Sequence, residues 1–203
     1  MRLKLKTLAA AAAMALAATG ANAQISGNVV KIGVLNDQSG LYADLSGQGS
    51  VVAAKMAIED FKAKDKGLNV EVIFADHQNK ADVGSQIANK WYDSEGVDVI
   101  VDTPNSGVAL AVSQITKDKK KAFLVSGAAT ADLSGKACSP NTIHWTYDTW
   151  ALANGTGNAI VKTGGDSWFF ITADYAFGHA LEDRKSTRLN SSHIQKSRMP
   201  SSA

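Results

Sequence analysis

The chain has 203 residues, 45% hydrophobic and 20% charged. That length suits one domain, or one domain and a fragment, and the composition excludes disordered and collagen-like classes. The mean hydropathy of −0.10 and the lack of a second long apolar run exclude a polytopic membrane protein. The net charge is +2, but residues 24–183 carry 13 basic and 19 acidic side chains, a net charge of −6. An acidic body argues against nucleic acid as a partner, because phosphate contacts need clustered lysine and arginine.

The N-terminus has the three parts of an export signal. Residues 2–6 supply three basic side chains, residues 8–18 form an apolar stretch, and residues 21–23 fit the A-x-A cleavage pattern. The apolar stretch is too short to cross a bilayer core of about 30 Å as a helix. We therefore expect export to a bacterial periplasm, with cleavage after Ala23. The alternative is an alanine-rich helix of the core.

Strand-like and helix-like segments alternate through the body of the chain. Apolar and β-branched runs predict strands over residues 29–35, 70–74, 97–101, 122–125, 143–145 and 168–171. Apolar side chains at helical spacing predict helices over residues 51–61, 81–94, 107–116 and 150–161, with Ser50 as the N-cap of the first and a short turn at 130–133. This order predicts an α/β fold, a doubly wound and mostly parallel sheet with flanking helices.

The last twenty residues differ in composition from the body. Residues 184–203 hold six serines and five basic side chains without an acidic one, and they interrupt a helix that opens at residues 178–183. They resemble a translated cloning or adapter scar, and a solvated disordered tail is the alternative. We expect residues 184–203 to be non-native. Cys138, the single cysteine, is then either a buried small side chain or half of a disulfide whose partner is missing.

Ligands of parallel α/β sheets bind beyond the carboxyl ends of the strands. Two loops there combine a hydroxyl with backbone N–H groups at a helix start, namely residues 105–107 with Ser106 and residues 127–130 with Thr130. Such N–H groups and hydroxyls together bind a carboxylate. Ordinary N-capping by Ser106 and Thr130 is the alternative.

No motif supports catalysis, a cofactor or a metal. Gly47 and Gly49 lack the third glycine of a dinucleotide fingerprint, and the sequence has neither a phosphate loop nor a G-x-S-x-G elbow. The four histidines lack metal-ligand spacing. Asp37, Asp76 and Asp102 stand at three strand ends, where capping of loops explains them better than a catalytic set does. We expect a protein that is not an enzyme and has no cofactor.

Several motifs occur together in a recognisable order. They are KIGVLNDQSGLYA at residues 31–43, AIEDF at 57–61, PNS at 104–106, SGAAT at 126–130 and DYAFG at 174–178. In this combination the chain resembles the type I periplasmic solute-binding proteins of ABC transporters, in the leucine/isoleucine/valine-binding branch. The resemblance covers about residues 29–182.

The resemblance implies a truncated two-lobed receptor, with lobe one over residues 24–144 and the start of lobe two over residues 145–183. It implies that the carboxylate lies against residues 105–106 and 128–130, while tyrosines from both lobes and an acidic residue near the crossover line the cleft. The implied ligand-binding residues are Tyr42, Asn105, Ser106, Ala128, Ala129, Thr130, Asp148, Tyr175 and Phe177. The implied partners are a small-molecule ligand and an ABC permease of the inner membrane, without nucleic acid.

Departures from the leucine-binding pattern widen the choice of ligand. Leu41 stands where proline is common, and residues 144–148 are bulkier than usual. The ligand is therefore an amino acid, an aromatic acid or an amide such as urea. Two other functions stay open, the ligand-sensing domain of a signalling receptor and a secreted α/β hydrolase.

Overall fold

A computed structural model describes residues 28–165, 167–189 and 194–199. The predicted export signal and its cleavage site lie outside the described residues, as do residues 190–193 and 200–203 of the predicted non-native tail. The described strands are β1 (Val30–Asn36), β2 (Val70–Asp76), β3 (Val99–Asp102), β4 (Ala122–Val125), β5 (Thr142–His144), β6 (Trp168–Ala173) and β7 (Ile194–Met199). The described α-helices are α1 (Gly47–Asp60), α2 (Ala81–Asp93), α3 (Ser106–Asp118), α4 (Thr149–Lys162) and α5 (Ala176–Leu189). Single-turn helices lie at Lys64–Lys66 and Ala131–Leu133.

Five strands form one sheet in the order β2-β1-β3-β4-β5, and every neighbouring pair is parallel. Parallel neighbours need crossover connections, and here α1, α2 and α3 supply them for the first four strands. This sheet confirms the predicted doubly wound α/β fold. Strands β6 and β7 pair in parallel in a separate two-stranded sheet.

The core lies between one face of the five-stranded sheet and helices α2 and α3. A Cβ placed on Gly33 would lie 2.5 Å from the ring of Trp91, so the indole of α2 packs directly on the backbone of β1. The Tyr92 hydroxyl donates to the Ala122 carbonyl at 3.0 Å, and burial raises the pKa of Tyr92 to about 12. These contacts attach α2 to the sheet.

The opposite face of the sheet is covered only in part. Helix α1 lies over β1 and β2, while Leu124, Ile143 and Trp145 are 39%, 54% and 78% exposed. These three side chains and the alanines of α1 line an apolar groove of about 670 Å³. A parallel sheet is usually covered on both faces, so the groove is an open apolar surface of this chain. No helix in the described part of the chain is long and apolar enough to cross a membrane.

Three local predictions have different outcomes in the structure. The prediction that Ser50 caps α1 is wrong, because the helix begins at Gly47 and the Ser50 N–H already bonds to the Ser46 carbonyl at 2.9 Å. Cys138 is free and exposed, so its interpretation as a buried side chain is wrong. The backbone of residues 184–189 continues α5, and that of residues 194–199 forms β7; the non-native origin of residues 184–203 stays a prediction.

Candidate functional site

The strand order reverses between β1 and β3, and ligands of doubly wound sheets bind in the crevice at such a reversal, beyond the carboxyl ends of the strands. The loops after β1, β3 and β4 border this crevice. Buried polar side chains collect along this edge although burial is costly for unpaired polar groups. They are Asn36, Asp37, His77, Asp102, Thr103, Asn105, Ser106 and Thr130.

The chain leaves β3 through a strained turn. Asp102 and Thr103 have φ angles of 79° and 62°, a region that residues other than glycine rarely adopt. The Thr103 hydroxyl donates to the Leu35 carbonyl at 2.9 Å, and the Asp102 carboxylate accepts from the Asn36 amide at 3.0 Å and the Ser126 hydroxyl at 3.1 Å. These bonds hold the turn that aims the chain into α3. Strain of this kind concentrates at functional sites.

Helix α3 begins at this edge and is capped by Asn105. The Asn105 side-chain oxygen accepts from the backbone N–H groups of Gly107 at 2.8 Å and Val108 at 3.1 Å. The alternative that Ser106 caps the helix is therefore wrong. The Ser106 hydroxyl oxygen instead accepts from the backbone N–H of Thr130 at 3.2 Å. The two loops singled out for a carboxylate thus contact each other directly.

Thr130 itself caps the single-turn helix Ala131–Leu133, since its hydroxyl oxygen accepts from the Asp132 N–H at 3.3 Å. N-capping therefore describes Thr130 correctly. The same hydroxyl belongs to the buried edge that faces the crevice.

Neighbouring segments fix the loop after β4. The Ala128 carbonyl accepts from His144 Nε2 at 2.7 Å, and the Ala129 carbonyl accepts from the Thr149 N–H at 2.7 Å. A Cβ placed on Gly127 would lie 2.9 Å from the Pro104 Cα. Only glycine allows these two loops to approach so closely, so the loop is preorganised beside the start of α3.

The loop after β1 is folded around Asp37, whose carboxylate accepts from the backbone N–H groups of Gly40 and Tyr42, both at 2.8 Å. Asp37 and Asp102 thus hold loops, which agrees with their interpretation as caps. This folding brings Tyr42 to the crevice.

Aromatic side chains from three separate segments lie close to one another beside the loop after β1. We call Tyr42, Tyr147, Tyr175 and Phe177 the aromatic wall. The hydroxyls of Tyr42 and Tyr175 contact each other although the two residues are 133 positions apart. The rings of Tyr175 and Phe177 lie 6.1 Å apart between centroids. Burial, then the hydrogen bond with Tyr42 and the nearby Tyr147, hold the pKa of Tyr175 far above its ordinary value.

Asp148 has a structural role at the start of α4. Its carboxylate accepts from the Ala151 N–H at 2.7 Å and so caps that helix. The ligand-binding role of Asp148 stays a prediction, as do those of the other implied residues. In the described part of the chain no cluster of three or more His, Cys, Asp or Glu side chains could hold a metal ion. The arrangement suits a small organic anion held by hydrogen bonds beside aromatic rings.

The fold is that of a known family. A family model described as "Periplasmic binding protein" matches residues 29–195. A periplasmic binding protein from Burkholderia mallei is 47% identical to the chain, covers 87% of it and superimposes with a TM-score of 0.81. A branched chain amino acid ABC transporter periplasmic ligand-binding protein from Burkholderia xenovorans is 37% identical and covers 84% of the chain with a TM-score of 0.71.

Another solved structure shares the fold at lower identity. It is an ABC transporter solute binding protein from Rhodopseudomonas palustris in complex with benzoate, 22% identical to the chain over 85% of it, with a TM-score of 0.77. The chain spans 48%, 46% and 48% of these three proteins, slightly less than half their length. Among curated proteins, no sequence matches the chain.

Proposed function

The chain belongs to the periplasmic binding protein family, and from this membership we propose that it is a solute-binding receptor of an ABC uptake system. It captures a small carboxylate at the crevice between β1 and β3 and passes it unchanged to a permease of the inner membrane. The family is periplasmic, and the predicted export signal supports the same location.

The contact between the hydroxyls of Tyr42 and Tyr175 carries this proposal. Tyr42 belongs to the loop after β1, and Tyr175 follows β6 of the separate two-stranded sheet. On the predicted division of the chain, the two residues belong to different lobes. Their contact supports a ligand site formed jointly by both lobes, which is what a receptor that closes around its ligand requires.

The polar side of the proposed site would bind the carboxylate group. The start of α3 and the loop 128–130 place the hydroxyls of Ser106 and Thr130 at the same edge. Each hydroxyl oxygen accepts a hydrogen bond from a backbone N–H, and each O–H group can donate to a carboxylate. Hydrogen bonds to a charged group contribute about 1.5–3 kcal/mol each, whereas a micromolar complex needs about 8 kcal/mol of net binding free energy. Apolar burial of the ligand must supply the remainder.

The aromatic wall would supply that burial. Aromatic rings bury a large area and stack edge-to-face or offset against another ring. The B. xenovorans relative is named for branched chain amino acids and the R. palustris structure contains benzoate. We propose a carboxylate with an aromatic or branched apolar group as the ligand class, and we include both in the test.

The test compares each acid with the amide that lacks its charge. Benzoate and benzamide form one pair, leucine and leucinamide the other. Thermal unfolding is measured for this chain and for a longer polypeptide. The longer one is the product of the natural gene, which the predicted truncation implies continues past residue 183, and we call it the extended polypeptide. A ligand at 100 times its dissociation constant stabilises by about 2.7 kcal/mol. We expect one acid, and not its amide, to raise the melting temperature of the extended polypeptide, and we expect the ligand to be recovered chemically unchanged. Equal effects of acid and amide, or conversion of the ligand, would contradict the proposal.

A further inference from the structure

A buried histidine stands next to the proposed site and has no role in the carboxylate contacts described above. His77 follows β2 directly, and its side chain is fully buried. Its backbone N–H donates to the Asn36 carbonyl at 2.9 Å. Its ring atom Nδ1 accepts from the backbone N–H of Asn79 at 3.0 Å, which assigns the proton of the neutral ring to Nε2. That Nε2 is buried and has no hydrogen-bond partner among the described residues.

A buried polar group without a partner is costly, so an apolar residue would serve better here if only packing mattered. The imidazole provides a hydrogen-bond acceptor, Nδ1, which an apolar side chain lacks. The turn after it contains two residues with positive φ, Gln78 at 52° and Asn79 at 56°. Asparagine tolerates this conformation better than most residues. The bond from the Asn79 N–H to Nδ1 adds to the bond from the Lys80 N–H to the His77 carbonyl at 2.9 Å, which closes the turn.

Asn79 connects His77 with the start of α3 through a further hydrogen bond. Its side-chain oxygen accepts from the Asn105 side-chain amide at 2.6 Å. With its amide thus engaged, Asn105 directs its oxygen at the N–H groups of Gly107 and Val108. A chain of hydrogen bonds therefore runs from His77 through Asn79 to Asn105 and the first turn of α3.

We propose that His77 is a positioning residue, whose ring acceptor fixes the orientation of Asn79 and, through it, the cap that Asn105 forms on α3. The consequence for ligand affinity rests on the proposed function, because the first turn of α3 is part of the proposed carboxylate site. The hydrogen-bond chain itself does not depend on that function.

The hydrogen-bond chain requires a neutral ring, since protonation of Nδ1 turns the acceptor into a donor. Burial, the largest influence, lowers the pKa of His77, whereas the carboxylates of Asp37, Asp76 and Asp102 raise it, and the pKa lies below its usual value. These three carboxylates, one from each of the strand ends beside the ring, are the charged groups that act on it. The imidazole is thus kept neutral, as its acceptor role needs.

Two substitutions at position 77 distinguish the effect of the hydrogen-bond acceptor from that of the side chain's shape. Asparagine and leucine branch alike, but only asparagine presents an acceptor near the place of Nδ1. Hydrogen exchange of the Gly107 and Val108 amides is measured in the wild-type chain, His77→Asn and His77→Leu. We expect leucine to speed exchange of these two amides about fivefold, as the loss of one net hydrogen bond predicts. The amide of Thr116, further along α3, serves as the internal control, and His77→Asn should stay near wild type.

A second pair of variants applies if a change at position 77 prevents folding. Asn79→Gly suits a φ of 56° and removes the side-chain acceptor for Asn105, whereas Asn79→Asp keeps an oxygen acceptor. We expect faster exchange at Gly107 and Val108 in Asn79→Gly only. The inference would be overturned if exchange in Asn79→Gly were unchanged, or if Thr116 exchanged faster by the same factor as Gly107 and Val108. It would also be overturned if His77→Asn and His77→Leu gave the same exchange rates.

The pH dependence of amide exchange distinguishes loss of the Nδ1 acceptor from a general loss of stability. After correction for intrinsic exchange rates, protection of Gly107 and Val108 should fall with decreasing pH in the wild-type chain and not in His77→Asn. The affinity of the extended polypeptide for benzoate or leucine, whichever raises its melting temperature, separates the inference from the function. If Asn79→Gly speeds exchange but leaves the affinity for that acid unchanged, the hydrogen-bond chain stands and the carboxylate site is wrong. If exchange is unaltered while that acid binds, the function stands and the inference is wrong.

Discussion

The Ser106 hydroxyl oxygen accepts a hydrogen bond from the backbone N–H of Thr130, which lies 24 residues further along the chain. Both side chains are buried. The bond joins the first turn of α3 to the loop after β4 at the edge where the sheet reverses its strand order. A single hydroxyl therefore connects the two segments that the proposed function assigns to the ligand carboxylate.

The first prediction concerns Ser106→Ala. Removing the hydroxyl leaves the buried Thr130 N–H without its acceptor, which costs about 1–3 kcal/mol of unfolding free energy. If the proposed site is correct, the variant also weakens binding of the acid by tenfold or more in the extended polypeptide. Urea unfolding and titration calorimetry measure the two effects.

Ser113→Ala is the matched control for that prediction. Ser113 is another buried serine of α3, and its hydroxyl contacts the Thr142 hydroxyl at 2.8 Å, away from the crevice. It should lower stability by a similar amount and leave ligand affinity unchanged. Equal losses of affinity in the two variants would show that Ser106 acts only through stability.

The second prediction concerns Gly127→Ala. The added Cβ would meet the Pro104 Cα at 2.9 Å, and because that atom belongs to the backbone, the two loops must move apart. We expect a loss of about 1–3 kcal/mol of unfolding free energy, as overpacking usually produces, together with weaker acid binding. Gly49→Ala is the control, since a Cβ there meets nothing within 4 Å. A Gly127→Ala variant as stable as Gly49→Ala would contradict the close approach of the loops.

Much of the fold follows from local sequence patterns. The apolar runs place the first six strands within two residues of their observed ends, because the strands of parallel sheets are rich in continuous apolar and β-branched residues. The same patterns place the start of α1 too late, because its first turn, residues 47–49, holds two glycines and a glutamine and has no apolar periodicity. Local pattern carries no information about this first turn, which follows a turn closed by the bond from the Ser46 N–H to the Tyr42 carbonyl at 3.0 Å.

The site is less accessible to sequence reasoning. The sequence points to Asn105 and Ser106 together, but only the three-dimensional arrangement shows that one caps α3 while the other contacts Thr130. From spacing alone, His77 is one of four histidines without metal-ligand spacing. It lies among polar residues, 76–79, at the end of β2, which is the available signal. Its connection with the start of α3 depends on pairing between distant segments.

The third prediction concerns the open apolar groove beside α1. Trp145 is 78% exposed and lines this groove, so Trp145→Ser should reduce the fluorescence of a bound hydrophobic dye and reduce self-association of the chain at high concentration. Trp150→Ser is the control, because Trp150 is 53% exposed on α4 and does not line the groove. Light scattering and dye titration measure the two variants, and equal effects would assign the dye-binding surface elsewhere.

The fourth prediction concerns the hydroxyl contact between Tyr42 and Tyr175. Tyr175→Phe keeps the ring and its packing on Phe177 but removes the hydroxyl, whereas Tyr175→Ala removes the ring as well. We expect the phenylalanine variant to bind the acid with less than tenfold loss and the alanine variant with a much larger one, because the ring supplies the apolar burial. Equal losses would mean that the hydroxyl, rather than the ring, serves the ligand.

The last prediction is the pH dependence of stability that His77 imposes. Its pKa in the folded chain lies below the value of 6.5 that it has when unfolded. Between these two values the unfolded state binds more protons, so the free energy of unfolding is highest above pH 6.5 and falls as the pH decreases, by at most about 1.4 kcal/mol per pH unit.

Asp76 acts in a separate and lower pH window. Burial raises its pKa, but hydrogen bonds from Ser39, Gln38 and Gln78 outweigh burial, so its pKa lies below the usual 3.8. The stability it contributes is therefore lost only as the pH falls below about 3.8. Urea unfolding between about pH 4.5 and about 7.5 isolates the histidine. In that interval His77→Asn should flatten the curve, and a variant with the wild-type slope would show that the acid sensitivity arises from another group.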